Sequence, residues 1–241
     1  MEANNSNKDS IQNPQVKRGV VRWLLRETIG TVMLALLLFL SAGRWNWGMG
    51  WALVVITALW VAATALTVIP RHPRMLAERT GMKKSGKQWD LRILSIMGMF
   101  NLARTIIAGL DQRYGWTTSF PLALQVIMLV IVVLGYGIFV WATAANAFFA
   151  IQVRIQEERG HMVATGGPYR FVRHPGYVGQ ILFELAAPLM LGSIWGLIPA
   201  GMIALLALLR TALEDRMLQK ELPGYQAYAK QVRYRLLPGI W

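Results

Sequence analysis

Four long stretches without a charged residue constrain this chain more than any other feature of its sequence. They cover residues 28–43, 45–70, 114–153 and 185–209. About 20 apolar residues are enough for a helix to cross the hydrocarbon core of a bilayer. The composition agrees, because 55% of the 241 residues are hydrophobic and only 15% are charged. The sequence therefore predicts an integral membrane protein and excludes both a water-soluble globule and a disordered chain.

The basic residues lie mostly between these apolar stretches. Residues 1–26 hold five Lys and Arg, residues 70–92 hold seven, residues 142–177 hold four and residues 210–241 hold six. Cytoplasmic loops of membrane proteins retain an excess of Lys and Arg. We therefore predict that both termini and the two long polar segments face the cytoplasm. Because the net charge of +13 follows the membrane topology, no nucleic-acid partner is predicted.

The predicted fold is all-α and polytopic. Four spans are expected near residues 28–43, 49–69, 93–110 and 120–147, followed by a C-terminal helical hairpin over residues 178–209. Pro188, Gly192 and Pro199 indicate the hairpin, because proline and glycine interrupt a straight helix in the middle of that stretch. Arg104 falls inside the third span, where its side chain must either point into the protein or extend to the membrane surface.

This arrangement divides the chain into three parts. Residues 1–27 form a polar N-terminal tail, residues 28–144 form the N-terminal transmembrane helices, and residues 145–241 form a C-terminal unit. The absence of cysteine excludes disulfide bonds and a cysteine nucleophile. With three histidines and no H-E-x-x-H spacing, no metal site is predicted.

Chemistry is most strongly indicated in residues 155–180, a polar segment between apolar neighbours. It contains His161, His174, two tyrosines and two breaks that combine glycine with proline. Glycine permits close backbone approach and proline fixes φ, so the segment is shaped more tightly than an ordinary loop. The residues alone leave two interpretations open: a ligand-binding loop, or a rigid connector whose Arg and Tyr side chains anchor at the lipid headgroups.

A second candidate feature is the pair Arg210 and Glu214, which lie four residues apart and so on one face of a helix. Such spacing is typical of a surface ion pair. It also suits a polar pair that contacts a charged ligand at the membrane boundary. Glu184, inside the hairpin, is interpreted either as part of the same pocket or as the buried partner of an arginine.

Three patterns in this region occur together. They are G-P-Y-x-x-x-R-H-P-G-Y-x-G over residues 167–179, R-x-x-x-E-D-x-x-L over residues 210–218 and Y-x-x-Y over residues 225–228. The combination resembles the isoprenylcysteine carboxyl methyltransferase family and the related phospholipid N-methyltransferases. The resemblance covers about Ala145 to Trp241. Asp215 departs from it, because the family usually has a second Glu there, and this shorter acid bears on which acceptor is used.

The resemblance implies S-adenosylmethionine as the cofactor, bound at the cytoplasmic end of the helices in a pocket that the C-terminal segment closes. The cofactor-binding residues that it implies are Gln156, His161, Met162, Val163, Ala164, Tyr169, His174, Pro175, Gly176, Tyr177 and Glu214. Arg210 is implied to face the substrate, as the substrate-binding and catalytic residue. An acid, backbone groups and aromatic faces suit a cofactor that carries a sulfonium, an amino group and a carboxylate.

The acceptor stays open at this point. If the acceptor is a carboxylate, such as that of a prenylated cysteine, Arg210 can hold it in two hydrogen bonds and no general base is needed. A thiol or an amine would need proton removal, for which His161, His174 and Glu214 are the candidates. A lipid or another apolar small molecule is an equally suitable acceptor, and it would arrive laterally from the bilayer.

Two other functions are compatible with the sequence. Residues 232–240 also resemble the C-terminus of membrane sterol reductases, which bind NADPH, although the Arg-His motif of those enzymes typically lacks the proline present here as Pro175. A transporter or an inactive scaffold would carry polar residues at the bilayer midplane. Arg104 and Glu184 are the candidates for such residues.

Overall fold

The computed structural model describes residues 11–79 and 86–241, and within these residues the chain is all-α. The helices are α1 (Pro14–Ala42), α2 (Gly48–Val68), α3 (Pro73–Glu78), α4 (Gln88–Tyr114), α5 (Leu122–Ala144), α6 (Pro175–Met190), α7 (Leu197–Glu221) and α8 (Tyr225–Gln231). Two single-turn 3₁₀ helices, Glu157–Arg159 and Gly167–Arg170, interrupt the long segment between α5 and α6.

Five of these helices, α1, α2, α4, α5 and α7, are long and apolar enough to cross a membrane. The protein is thus a multi-pass integral membrane protein, as the apolar stretches predicted. Helix α1 begins earlier than the span predicted near residue 28, because Asn13 caps it and Pro14 occupies its first turn. Residues 14–27 therefore form the polar start of α1. Residues 1–10 of the predicted tail lie outside the described residues.

The predicted C-terminal hairpin is formed by α6 and α7. Its turn is fixed by Asp111, near the C-terminal end of α4, whose carboxylate accepts hydrogen bonds from Ser193 Oγ at 2.6 Å and from Thr117 N at 2.6 Å. Gly192 adopts φ +78° in this turn, a conformation that favours glycine. The polar ends of α6 and α7 consequently lie at the opposite end of the bundle, beside the start of α4.

Helices α5 and α6 approach each other closely where Gly135 faces Gly179. A Cβ atom added at Gly135 would lie 2.8 Å from the Gly179 carbonyl oxygen, and one added at Gly179 would lie 2.5 Å from the Gly135 carbonyl oxygen. One turn further along α6, the rings of Tyr136 and Phe183 stack at 4.3 Å. Backbone contact between small residues is a common way to pack helices in membranes, where the apolar lipid offers little hydrophobic driving force.

Arg104 points into the bundle rather than toward the membrane surface. Its guanidinium pairs with the carboxylate of Glu184, and the Asn101 amide donates to the same carboxylate at 3.2 Å. Both charged side chains are buried. Pairing is the expected arrangement for charged groups that are removed from both water and lipid headgroups. Glu184 is thus the partner of an arginine, and it also lines the cavity described below, so both interpretations of it hold.

Candidate active site

A cavity of about 520 Å³ opens among the start of α4, the end of α5, the hairpin helices and the long segment between α5 and α6. Its lining has a polar and an aromatic part. The polar part includes Asn146, Arg154, His161, Tyr169, His174, Tyr177, Arg210, Glu214, Tyr225 and Tyr228. The aromatic part includes Trp60, Tyr136, Phe139, Phe148, Phe149 and Phe183. A single cavity is therefore lined by both sets of side chains, and we refer to the two sets as its polar chamber and its aromatic chamber.

The hairpin brings Tyr177 and Glu214 into direct contact. The Tyr177 hydroxyl donates a 2.6 Å hydrogen bond to Glu214 Oε2, across the interface between α6 and α7. The Arg210 guanidinium carbon lies 5.5 Å from the centre of the Tyr177 ring, on the same helix face as Glu214. The i,i+4 pair predicted from sequence is therefore not an isolated surface pair, because both of its members line the cavity.

Arg210 is held by Asp90, a residue that sequence reasoning missed. The carboxylate of Asp90 accepts from Arg210 Nε at 2.6 Å and from Nη2 at 3.1 Å, and it also accepts from the Val153 amide at 2.7 Å. Asp90 is fully buried in the first turn of α4. The one signal for it in the sequence is a lone acid at the start of an apolar span. This contact occupies the two-nitrogen edge with which Arg210 was expected to hold a carboxylate.

His174 precedes Pro175, the first residue of α6, and its ring reaches Asp215. His174 Nε2 lies 3.2 Å from Asp215 Oδ1 and 3.3 Å from the Tyr225 hydroxyl. The Tyr225 hydroxyl in turn donates to Asp215 at 2.9 Å. Since that hydroxyl proton is already engaged, His174 Nε2–H is the donor to both oxygens.

Asp215 also fastens the C-terminal segment, residues 232–241. Its carboxylate accepts from Arg173 Nε at 2.8 Å and from Arg235 Nε at 2.9 Å. Backbone hydrogen bonds from Arg173 N to Tyr234 O and from His174 N to Arg235 O, both 2.9 Å, continue the attachment. Asp215 is fully buried and lies outside the cavity lining. Its departure from the family pattern therefore concerns the attachment of this segment, not contact with an acceptor.

The segment between α5 and α6 contributes His161 and Tyr169. The Tyr169 hydroxyl accepts from the Asn146 amide at 3.2 Å, and its backbone carbonyl accepts from the Tyr228 hydroxyl at 2.7 Å. Burial raises the pKa of Tyr169 well above its usual value, so it stays a neutral phenol. Burial and the neighbouring Arg159 lower the pKa of His161 to about 4. His161 Nδ1 accepts a hydrogen bond from the backbone N–H of Gln156 at 3.3 Å, so Nε2 carries the proton of the neutral ring.

Most of the residues that the resemblance implied for the cofactor meet at the cavity. The lining contains His161, Met162, Val163, Ala164, Tyr169, His174, Gly176, Tyr177 and Glu214, together with Arg210. Gln156 and Pro175 lie outside it. The buried Gln156 side chain donates to Phe148 O at 2.6 Å and accepts from Arg159 at 2.7 Å, so it supports the loop from behind. Pro175 is buried at the start of α6.

The fold and the cavity define a polytopic α-helical membrane protein with a candidate ligand-binding cavity at one end of its bundle. Residues 125–220 match the family model of the isoprenylcysteine carboxyl methyltransferase (ICMT) family, from within α5 almost to the end of α7. This match confirms the resemblance and classes the protein as an S-adenosylmethionine-dependent membrane methyltransferase. A comparison with curated proteins gave no match.

Proposed function

We propose that this protein transfers the methyl group of S-adenosylmethionine to the carboxylate of a membrane-embedded acceptor of the prenylcysteine type. The observation that carries the proposal is the continuity of the cavity. Its polar chamber suits a charged, water-soluble cofactor, and its aromatic chamber between α2, α5 and α6 suits an apolar chain. A reaction between a hydrophilic and a lipophilic partner needs such a joined site.

The polar chamber offers groups that match the cofactor. A volume of about 520 Å³ for the whole cavity lies in the range that holds small-molecule ligands. Glu214 supplies a carboxylate for an ammonium or a hydroxyl group, while Tyr177 and Tyr169 supply aromatic surface for a cation. His161 Nε2–H adds a neutral donor. These residues would hold the cofactor, which supplies a methyl carbon already activated by its sulfonium.

The work of the protein in this reaction is positioning. When bound, the cofactor would supply its sulfonium methyl group to an acceptor carboxylate oxygen and would itself leave as a neutral thioether. No proton is released, so the protein needs no general base. This agrees with His161, whose low pKa and engaged Nδ1 leave it without a free basic nitrogen. Alignment of the two reacting atoms and exclusion of water then account for the rate.

In this proposal Arg210 organises the boundary between the two chambers. Asp90 fixes the guanidinium, which lies against the ring of Tyr177, the hydrogen-bond donor to Glu214. Arg210 Nη1 makes no hydrogen bond to the described residues and remains for an acceptor oxygen. The single contact expected from Nη1 is weaker than the two-nitrogen contact that the sequence suggested.

The polar chamber is proposed to face the cytoplasm. Three of the basic segments meet at this end of the bundle, where Lys87 N donates to Val153 O at 3.1 Å and Lys87 Nζ pairs with Glu221 at 2.8 Å. An excess of Lys and Arg is typical of the cytoplasmic side. S-adenosylmethionine would thus enter from the cytoplasm and the acceptor from the bilayer.

Calorimetric titration of the detergent-purified protein tests the cofactor site, with S-adenosylmethionine, S-adenosylhomocysteine and NADPH as ligands. We expect saturable binding of the first two and none of NADPH. Glu214→Gln is expected to weaken cofactor binding about 10- to 100-fold, the usual effect of losing a charge-assisted hydrogen bond. Binding of NADPH alone would assign the site to reductase chemistry instead.

Labelled methyl transfer to an S-prenylated N-acetylcysteine tests the acceptor. Arg210→Lys keeps a cation beside Asp90, and we expect it to preserve cofactor affinity while lowering turnover at least about tenfold, the effect of one misplaced positioning group. Arg216→Lys, an exposed arginine on the same helix, is the matched control. Equal loss of cofactor affinity in the Arg210 and Glu214 variants would contradict this division of roles.

A further inference from the structure

Arg79 is a buried cation to which no carboxylate of residues 11–79 and 86–241 is hydrogen-bonded. It follows the last residue of α3 and is 9% exposed, and its side chain lines the cavity. Its Nε has no hydrogen-bond partner, and none of the described residues accepts a hydrogen bond from its guanidinium. Glu27, another residue of the lining, makes its ion pair with Arg26 and interacts with Arg79 through its charge alone, without a hydrogen bond. A charged group removed from water normally has a hydrogen-bonded counter-charge, so this arrangement requires an explanation.

Each of the other buried arginines in the described part of the chain has a carboxylate partner. Arg104 pairs with Glu184, Arg154 with Glu78, Arg173 with Asp215 and Arg210 with Asp90. Each of these four contacts satisfies a desolvated charge within the fold. Arg79 lines the same cavity as Arg154, Arg173 and Arg210, but no carboxylate of the described residues is hydrogen-bonded to it. Burial lowers the pKa of Arg79 to about 10, which still leaves the guanidinium charged at neutral pH.

Arg79 lies beside Phe149, one of the aromatic residues of the cavity. Its guanidinium carbon lies 5.4 Å from the centre of the Phe149 ring. A Cβ atom added at Gly176, near the start of α6, would lie 2.8 Å from the same ring. The Phe149 ring thus lies close to both the Arg79 guanidinium and the backbone at the start of α6. Arg79 therefore lines the same cavity as the residues proposed for the cofactor.

A second unpaired donor lies along the same aromatic wall. The centre of the Phe149 ring lies 5.4 Å from that of Phe139, and the centre of the Phe139 ring lies 6.0 Å from that of Trp60. Trp60 Nε1 is buried and has no hydrogen-bond partner among the described residues. Two unsatisfied N–H donors in a mostly aromatic wall suit a ligand with an apolar body and an anionic group.

We propose that Arg79 binds the carboxylate of the acceptor, with the acceptor chain against Trp60, Phe139 and Phe149. This inference rests on the proposed function for the identity of the ligand. Arg210 cannot supply the same two-nitrogen contact while Asp90 occupies it. Methylation turns the carboxylate into a neutral ester, which loses its attraction to Arg79. The same contact therefore selects the substrate and favours release of the product into the bilayer.

The test compares the affinities of an S-prenylated N-acetylcysteine and its methyl ester in the presence of S-adenosylhomocysteine. The wild type is expected to bind the carboxylate at least about tenfold more tightly than the ester, as a charge-assisted contact requires. Arg79→Gln should abolish this preference and raise KM with little change in kcat, and Arg79→Lys should retain part of it. Arg71→Gln, an exposed arginine of the same segment, is the matched control.

Thermal unfolding separates this role from a structural one. If Arg79 awaits a ligand, Arg79→Gln removes a buried charge that has no hydrogen-bonded counter-charge among the described residues, so the unliganded variant should be at least as stable as the wild type. A marked loss of stability, or an unchanged preference for the carboxylate, would overturn the inference. Arg79-dependent binding of a phosphodiester amphiphile in place of the carboxylate would overturn it as well.

The outcome also distinguishes this inference from the proposed function. Methyl transfer that is insensitive to Arg79 would leave the proposed function in place and refute the inference. A carboxylate preference that depends on Arg79, without methyl transfer to any carboxylate, would support the inference and refute the proposed reaction.

Discussion

At the scale of single residues, the site depends on protonation states that burial has fixed. The pKa of His161 falls from its ordinary 6.5 to about 4, first because the ring is desolvated and then because Arg159 and Arg154 lie nearby. The unfolded chain therefore binds a proton below pH 6.5 that the folded protein does not bind until about pH 4. Stability contributed by His161 is complete above pH 6.5 and is lost as the pH falls toward 4.

The direction of this pH dependence leads to a prediction for His161→Asn. The stability difference between wild type and variant should be constant from pH 7 to 8 and should shrink steadily from pH 6.5 to 4, as measured by thermal unfolding in detergent. The kcat/KM profile of the wild type should show no step near pH 6.5 from this residue. A step that disappears in the variant would mean that His161 titrates in the working enzyme.

At the scale of helices, the glycine contact between α5 and α6 holds the two walls of the cavity in register. Gly135→Ala would place a methyl group 2.8 Å from a backbone oxygen of α6, and backbone cannot move as a side chain can. We expect this overpacking to cost about 1–3 kcal/mol in the free energy of unfolding. Methyl transfer should fall with it, because the shift displaces Tyr177 relative to Glu214.

Gly137→Ala is the matched control for this prediction. Gly137 is exposed on the same helix, and a Cβ atom added there would meet nothing within 4 Å. Alanine is preferred over glycine in a helix interior by up to about 1 kcal/mol, so this variant should be neutral or slightly stabilised. Similar losses in both variants would show that glycine flexibility, not helix contact, is what α5 needs.

The sequence predicted the elements better than the contacts between them. Charge-free stretches and the Pro188 to Pro199 interruption predicted α2, α5 and the hairpin, because membrane helices are set by local hydropathy, but they placed the start of α1 too late. Motif resemblance assigned both Tyr177 and Glu214 to the cofactor, and the structure places them in contact at the cavity. Asp90 was not found because its partner Arg210 lies 120 residues away in the sequence. Arg79 was not found because its role depends on the absence of a hydrogen-bonded carboxylate, which only the packing of the described residues shows. Gln156 was matched to a cofactor glutamine although its spacing to His161 is shorter than in the family, and its side chain bonds to Phe148 O and Arg159.

At the scale of the whole molecule, Asp215 joins the hairpin to the end of the chain. The buried carboxylate of Asp215 accepts hydrogen bonds from Arg173, Arg235, His174 and Tyr225. Arg173 Nη1 also donates to Val232 O at 2.9 Å and to Arg233 O at 2.7 Å. The C-terminal segment and His174 are thus held by the same carboxylate, that of Asp215. Attachment of this segment and the geometry of the cofactor chamber should therefore be lost together.

Asp215→Ala tests this coupling. Removing one partner of a buried ion pair typically costs about 3–5 kcal/mol, because the remaining charges are left without a counter-charge. We expect trypsin to cleave the native variant at Arg233 and Arg235 much faster than the wild type, and cofactor affinity to fall in parallel. Glu221→Gln, which removes an exposed ion pair with Lys87, should change neither, since such pairs contribute about 0–1 kcal/mol. Rapid cleavage with unchanged cofactor affinity would show that the segment does not close the site.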